Sequence, residues 1–226
     1  MSGKKKAVVL LSGGLDSSVT LSIAKKNGYR THCISFDYSQ KHKREIIFAK
    51  EQARLQEVFS HKIFKIDFFG GSALTDDIKV PKTREVSEIK NEIPVTYVPA
   101  RNTIFLSYAL GYAESLDCNE IFIGVNAIDY SGYPDCRPEF INLFEKLANI
   151  ATKKGIDGKR ISINTPLIKM TKKQIILEGY NNKVNFKKTF SCYSPIDKKA
   201  CGYCDSCLLR KQGFSDANIN DPIKYI

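Results

Sequence analysis

The sequence predicts an α/β protein with a Rossmann-like, doubly wound parallel sheet and a small zinc-binding C-terminal appendage. Short apolar runs alternate with helix-like segments as far as about residue 180, which is typical of parallel βαβ units. Four cysteines lie between residues 192 and 207, where this alternation has stopped. We therefore predict an α/β domain over 1–180 and a zinc-binding region over 181–226 packed on it.

The individual elements follow from hydrophobic periodicity and from helix start signals. Predicted strands cover 7–11, 31–36, 61–66, 120–125 and 160–163. Predicted helices cover 17–26, 41–58, 103–116, 139–151 and 172–178, the last capped by Thr171. The first strand is apolar throughout, as expected for a strand buried on both faces. The polar stretch 68–95 is predicted to be a long loop, whose role the sequence leaves open.

Composition limits the classes of protein that fit. The 226 residues are 42% hydrophobic, which is enough for a packed core, and no apolar run is long enough to cross a bilayer. Because the N-terminus lacks the apolar region of a signal peptide, we expect a cytoplasmic protein with no membrane association. The net charge of +11 comes mostly from scattered lysines, so direct nucleic-acid binding is not expected, whereas an anionic substrate fits.

The segment Ser12–Ser18, with the sequence SGGLDSS, follows the first strand and opens a helix. Glycines permit a tight turn, and backbone N–H groups at a helix N-terminus bind anions. Asp16 would repel a phosphate unless a cation lay between them, which predicts Mg²⁺. The spacing fits neither a Walker A loop nor the G-x-G-x-x-G pattern. The alternative is a structural turn in which Asp16 only caps the helix.

This S-G-G-x-D-S pattern resembles the pyrophosphate-binding loop of the ATP pyrophosphatases. The resemblance implies an adenine nucleotide alpha hydrolase-like fold and an ATP molecule cut between its α- and β-phosphates. An adenine or ribose contact would fall at the end of the second strand. The predicted ATP contacts are Leu11, Ser12, Gly13, Gly14, Leu15, Asp16, Ser17, Ser18 and Phe36.

The cysteines Cys192, Cys201, Cys204 and Cys207 have the spacing C-x8-C-x2-C-x2-C. Four thiolates make a closed tetrahedral zinc site, which is structural rather than catalytic. An iron–sulfur cluster is the alternative, because C-x2-C-x2-C also occurs in ferredoxin-type ligation. We predict one structural zinc ion.

A polar stretch, 124–138, follows the fourth strand and supplies the predicted substrate contacts. Tyrosines can stack on a flat heterocycle, carboxylates can accept from a guanine-like edge, and an arginine can bind a carboxylate through two hydrogen bonds. The candidates are Asp129, Tyr130, Tyr133, Asp135 and Arg137. The alternative is a polar loop whose aspartates and proline only form turns.

Two further basic residues are candidates at the same edge of the sheet. Arg101, before the third predicted helix, could face phosphate or the substrate carboxylate. Lys169 could neutralise phosphate, and a solvated lysine is an equal alternative. With Asp16 and Arg137 they form the predicted catalytic set, within which the sequence does not decide whether Arg101, Arg137 or Lys169 orients the carboxylate.

Taken together, the blocks SGGLDSS, FDYSQKH, YVPARNT, GVNAIDYSGYPDCRP and PLIKMTK and the four cysteines resemble the 7-cyano-7-deazaguanine synthase family. The resemblance spans nearly the whole chain. It implies a homodimeric ligase of queuosine biosynthesis that uses ATP, ammonium and 7-carboxy-7-deazaguanine, through an adenylated carboxylate and an amide. The loop favours AMP over ADP as product, although the sequence does not decide this, nor which nucleic acid the product feeds.

Two other functions remain open on the sequence. A tRNA-modifying ATP pyrophosphatase of the thiolase or lysidine synthase type would use the same loop and a basic surface. A nucleotide-sensing zinc module would instead bind nucleic acid through basic and aromatic residues near the cysteines. Its candidates are Lys198, Lys199, Tyr203, Arg210 and Lys211.

Overall fold

The computed structural model describes residues 4–38, 40, 44–67, 69–82, 93–126 and 132–226. Its centre is a five-stranded sheet of order β3-β2-β1-β4-β5 in which all neighbouring strands are parallel. The strands are β1 Lys6–Leu10, β2 Arg30–Asp37, β3 Ser60–Lys65, β4 Glu120–Phe122 and β5 Ser162–Asn164. The predicted parallel, doubly wound sheet is confirmed, with its strand order reversing between β1 and β4.

The described helices alternate with these strands. They are α1 Leu15–Lys26, α2 Arg44–Leu55, α3 Arg101–Ser115, α4 Pro138–Ile150, α5 Lys153–Ile156, α6 Lys172–Asn181 and α7 Asp205–Asp216. Thr171 caps α6 as predicted, in a reciprocal capping box with Gln174. Helix α7 was not predicted, because Arg210 and Gly213 lie on its buried face and hide the apolar periodicity.

Both faces of the sheet are buried. Along β1, Val8 and Leu10 belong to a core cluster with residues of α3 and α4, whereas Ala7 and Val9 belong to a second cluster with residues of α1 and α2. Successive side chains of a strand point to opposite faces, so a strand with helices on both sides must be apolar throughout. None of the described helices is long and apolar enough to cross a membrane.

The C-terminal region packs closely on the α/β core. Phe214 of α7 lies in one buried cluster with Leu15 and Val19 of α1 and with Ile176 of α6. Arg210, 2% exposed, donates to both carboxylate oxygens of Asp221, at 2.9 and 3.0 Å, and so holds the last residues against α7. The division into 1–180 and 181–226 stays a prediction, and its boundary falls within the last turn of α6.

Candidate functional site

The glycine loop between β1 and α1 is fixed in place by helix α2. Gly13 has φ +83°, and a Cβ there would lie 2.4 Å from the backbone nitrogen of Ala49 and 2.5 Å from the carbonyl oxygen of Glu45. Only glycine permits both this conformation and this contact. The loop therefore passes directly under the backbone of α2.

Hydroxyl groups surround the turn. Ser12 Oγ and Ser17 Oγ lie 3.0 Å apart, and the Gly14 N–H donates to Ser12 Oγ at 3.3 Å. Ser18, fully buried, donates to the carbonyl of Gly14 at 2.7 Å. Ser18 thus stabilises the first turn of α1, whereas Ser12, Gly14 and Ser17 border the adjoining cavity.

Asp16 is paired with a lysine that the sequence analysis did not select. Lys172 Nζ, at the start of α6, lies 2.9 and 2.8 Å from the two carboxylate oxygens of Asp16. Both residues line the cavity. Lys169, the predicted phosphate contact, is exposed and is not among the cavity-lining residues. The block PLIKMTK thus brings its second lysine, three positions after Lys169, to the cavity instead of the first.

A cavity of about 240 Å³ connects this loop to the third helix. From the predicted set it is lined by Leu11, Ser12, Gly14, Leu15, Asp16, Ser17, Phe36, Arg101 and Tyr133. It opens at the carboxyl ends of β1, β2 and β4, where ligands bind in sheets of this kind. The ring of Phe36 stacks on that of Phe105, with centroids 3.9 Å apart.

Arg101, the first residue of α3, is the predicted arginine that faces the cavity. It follows Ala100, whose φ of +53° is rare for a non-glycine residue and whose N–H donates to the Tyr97 hydroxyl at 3.0 Å. Its guanidinium donates to the Tyr38 hydroxyl at 3.4 Å. Burial raises the pKa of Tyr38 to about 12, so this hydroxyl stays neutral near pH 7.

Glu45 lines the same cavity and was missed by sequence reasoning. Burial raises its pKa to about 7, although the charge of Arg101 acts in the opposite direction. The residue lies in the first turn of α2, where an acidic residue is also an ordinary helix-stabilising choice. No local pattern in the sequence distinguishes this partly buried carboxyl from an exposed one.

The predicted substrate contacts lie in different surroundings in the structure. Tyr133 lines the cavity, and its hydroxyl lies 3.2 Å from Thr96 Oγ1. Asp135 is buried and accepts from the backbone N–H of Asn102 at 2.8 Å, and burial raises its pKa. Arg137 is exposed at the N-terminus of α4. Asp129 and Tyr130 lie outside the described residues.

The four predicted cysteines form one buried cluster. The sulfurs of Cys192, Cys201, Cys204 and Cys207 all lie within 4.8 Å of one another. Tetrahedral zinc with Zn–S bonds of about 2.3 Å needs sulfurs roughly 3.8 Å apart, and Cys201 and Cys207 are separated by 4.0 Å. The chemistry and spacing of this donor set therefore fit a structural metal ion.

Backbone N–H groups support the cluster from outside. Cys201 N–H donates to Cys192 Sγ at 3.2 Å, and Cys204 N–H donates to Cys201 Sγ at 3.4 Å. Hydrogen bonds from Cys192 and then Cys207 hold the pKa of the Cys204 thiol well below its ordinary value. Hydrogen bonding within the cluster in turn raises the pKa of the Cys192 and Cys207 thiols, so these neighbours stay protonated and donate to the Cys204 thiolate until a metal ion displaces their protons.

Fold and site together define an α/β protein with a glycine-rich loop that borders a cavity at the N-terminus of α1, and with a buried four-cysteine cluster beside it that could hold a metal ion. The family model for the Queuosine biosynthesis protein QueC matches residues 6–218. Relatives named 7-cyano-7-deazaguanine synthase from Geobacter sp. (strain M21) and Citrifermentans bemidjiense are each 56% identical over 225 residues, 98% of this chain and of theirs. The chain belongs to this QueC family.

A solved structure agrees with the fold. NMN synthetase from Francisella tularensis aligns with a TM-score of 0.50 at 14% identity, covering 96% of this chain and 88% of that one. At this identity the likeness concerns the arrangement of strands and helices alone. It supports the predicted sheet architecture and not a shared substrate.

Proposed function

We propose that this chain is an ATP-dependent carbon–nitrogen ligase that converts 7-carboxy-7-deazaguanine and ammonium to 7-cyano-7-deazaguanine in queuosine biosynthesis. One observation carries the proposal: a single cavity joins the glycine loop to Arg101, so an anion-binding loop and a carboxylate-binding group face each other. The near full-length likeness to relatives named 7-cyano-7-deazaguanine synthase supports the substrate.

In this proposal the glycine loop holds the β- and γ-phosphates of ATP, with hydroxyl contacts from Ser12 and Ser17. Asp16 would hold Mg²⁺, which when bound would neutralise charge on the departing pyrophosphate. Lys172 lies 2.8 Å from Asp16 and supplies a second positive charge at the same place. Nucleotidyl transfer depends on positioning and charge neutralisation more than on a nucleophilic side chain, and this set provides both.

Arg101 binds the substrate carboxylate, because it is the predicted arginine that lines the cavity. Tyr133 stacks on the deazapurine, with Tyr130 as a further predicted aromatic contact. Recognition of the purine edge stays assigned to Asp129 or Asp135. Since a carboxylate oxygen of Asp135 accepts from Asn102, we also expect Asp135 to position the start of α3 and thereby Arg101. Roles for Lys169 and Arg137 remain predictions.

The chemistry proceeds in three steps. A carboxylate oxygen of the substrate attacks the α-phosphorus of ATP, and pyrophosphate leaves with the electron pair of the broken P–O bond. Ammonia attacks the acyl carbon and releases AMP, leaving an amide and a proton. The amide oxygen is then adenylated in the same way, with release of a second pyrophosphate, and loss of AMP and two protons gives the nitrile. Arg101 holds the carboxylate in line with the α-phosphorus in the first step.

The test is to mix the purified protein with 7-carboxy-7-deazaguanine, Mg-ATP and ammonium and to follow the products by mass spectrometry. A nitrile with AMP supports the whole scheme. A nitrile with ADP retains the reaction but contradicts cleavage between the α- and β-phosphates. No nitrile from folded, metal-loaded protein overturns the proposal. Salt-sensitive tRNA binding would then favour a tRNA-modifying enzyme.

We assign zinc to the cysteine cluster and propose it as the one structural metal ion. Four cysteines in a closed, buried arrangement are the donor set of structural zinc sites. Elemental analysis should give one zinc per chain and no iron. Visible charge-transfer absorption would instead indicate an iron–sulfur cluster.

We further propose a homodimer in the cytoplasm, the compartment suggested by the biosynthetic role of the bacterial relatives. Leu143, Leu147 and Ile150 are 63, 47 and 75% exposed and lie on one face of α4 at helical spacing. A second copy of the chain would cover this apolar stripe. Leu147→Glu should convert the dimer to monomer in analytical ultracentrifugation, whereas the control Lys187→Glu, on an exposed side chain outside α4, should not. A monomeric wild type would contradict this proposal.

A further inference from the structure

The segment that leads into the cysteine cluster lies directly on the glycine loop. Phe190 N–H donates to the carbonyl oxygen of Gly13 at 3.0 Å. The next residue, Ser191, accepts from the Leu15 N–H at 3.4 Å and lines the same cavity as Ser12 and Gly14. The residue after it, Cys192, belongs to the cluster. Ser191 is therefore held between the anion loop and the metal site.

Phe190 anchors this segment from the other side. Its ring stacks on Phe48 of α2 with centroids 5.3 Å apart, and the Arg44 guanidinium lies 5.1 Å from its ring centroid. Just upstream, Gln52 donates to the carbonyl of Lys188 at 2.7 Å. Because α2 also clamps Gly13, one helix positions both sides of the gap between the loop and Ser191.

The missing side chain of Gly14 leaves a space between two serines. Gly14 has φ −75° and ψ 172°, which other residues adopt readily, so its backbone conformation does not require glycine. A Cβ there would lie 3.3 Å from Ser12 Oγ and 3.6 Å from Ser191 Oγ. Both hydroxyls thus border the space that glycine keeps open beside the N-terminus of α1, where an anion binds.

We propose that Ser191 donates a hydrogen bond to a phosphate oxygen of the bound nucleotide, opposite Ser12, so that the segment entering the metal cluster forms one wall of the phosphate site. The inference rests on the proposed use of ATP. Ser191 Oγ accepts from Leu15 and keeps its own proton for donation into the cavity. The metal cluster then serves catalysis indirectly, by holding this wall in place.

The test compares Ser191→Ala with two other variants by calorimetric titration with magnesium pyrophosphate and, separately, with AMP. A hydrogen bond to a charged phosphate contributes about 1.5 to 3 kcal/mol, so Ser191→Ala should bind pyrophosphate roughly 10- to 100-fold more weakly. AMP affinity and zinc content should stay unchanged, and the melting temperature should fall only slightly, because the Leu15 N–H loses one long hydrogen bond. Ser191→Thr keeps the hydroxyl and should recover much of the affinity. Ser194→Ala, three residues along and lining a different cavity, should bind like the wild type.

Three results would overturn the inference. Ser191→Ala could bind pyrophosphate as tightly as the wild type, which would leave ATP use intact but remove Ser191 from the site. It could lose pyrophosphate and AMP affinity together with zinc, which would show a structural role only. A wild type that binds neither pyrophosphate nor ATP would instead reject the proposed nucleotide site itself, together with the role of Ser191.

Discussion

The glycine loop and the cysteine cluster both use backbone N–H groups of tight turns, but the cluster is closed and the loop is open. In both, N–H groups of tight turns donate to side chains of the site, to cysteine sulfurs in the cluster and to serine hydroxyls in the loop. The cluster is closed: its four cysteines are 0 to 4% exposed, and its N–H groups donate to sulfur. The loop borders a cavity instead, and Gly14 leaves space beside its serines.

A closed site suits a ligand that stays bound, whereas an open site suits a ligand that is exchanged. A closed thiolate set retains its ion and contributes to folding, whereas an open anion site must release product at every turnover. The surroundings of the cluster also argue against a nucleic-acid-binding module. Arg210 is committed to Asp221, and Lys211 donates to the carbonyl of Gly202, so two of the five candidate contacts are engaged within the fold.

Metal removal should have the largest effect. The buried site binds its ion only in the folded chain, so the free energy of metal binding adds to that of folding, and chelation should lower the free energy of unfolding by several kcal/mol. Differential scanning calorimetry before and after chelation measures the loss, and re-addition of Zn²⁺ should restore it. An unchanged melting temperature in demonstrably metal-free protein would contradict a structural metal.

Alanine substitutions at Gly13 and Gly14 should have different effects, the first mainly on stability and the second mainly on ATP affinity. Gly13→Ala places a Cβ 2.4 Å from the backbone of α2 at φ +83°, and we expect it to lose about 3 kcal/mol or more of stability. Gly14→Ala keeps an ordinary φ and should change stability by less than about 1 kcal/mol.

The Gly14 variant should nevertheless bind ATP more than about tenfold more weakly, because its Cβ occupies the space proposed for phosphate. Urea unfolding and calorimetric ATP titration of both variants give the two quantities. Normal ATP binding by Gly14→Ala would show that the phosphate does not occupy the space beside Gly14.

The two predicted arginines provide the next test. Arg101→Lys should lower kcat/KM by roughly 100-fold, because lysine cannot make a two-point contact with a carboxylate. Arg137→Lys, on an exposed side chain, is the matched control and should stay within about threefold of the wild type. Steady-state kinetics with 7-carboxy-7-deazaguanine decide between them. A larger loss of kcat/KM for Arg137→Lys than for Arg101→Lys would assign the substrate carboxylate to Arg137.

The sequence could predict features that depend on local chemistry. Local patterns in the sequence mark the loop, the four cysteines and the order of strands and helices. The fold and the close approach of the cysteines follow from these patterns. Lys172 could not be separated from Lys169, because only the direction of the start of α6 decides which lysine reaches Asp16. Glu45 could not be identified either, since its place beside the cavity comes from the packing of α2 against the loop.

Glu45 should give the smallest effect, and a pH-dependent one. Burial raises its pKa to about 7 in the folded state, above an ordinary value of 4.5. Below pH 4.5 the carboxyl is neutral in both states and carries no penalty. Between pH 4.5 and 7 the unfolded chain ionises first, so stability falls as the pH rises, and above pH 7 the loss is constant.

Glu45→Gln does not titrate, so its stability relative to the wild type should increase from pH 5 to pH 8. We expect a relative gain on the order of 2 kcal/mol, after allowing for partial solvent screening. Urea unfolding at the two pH values measures it. Glu51→Gln, on the same helix and in a surface ion pair with Arg54, controls for the loss of a negative charge. If both variants responded alike, the carboxyl of Glu45 would be solvated, and the cavity beside the glycine loop would be more open than the structure shows.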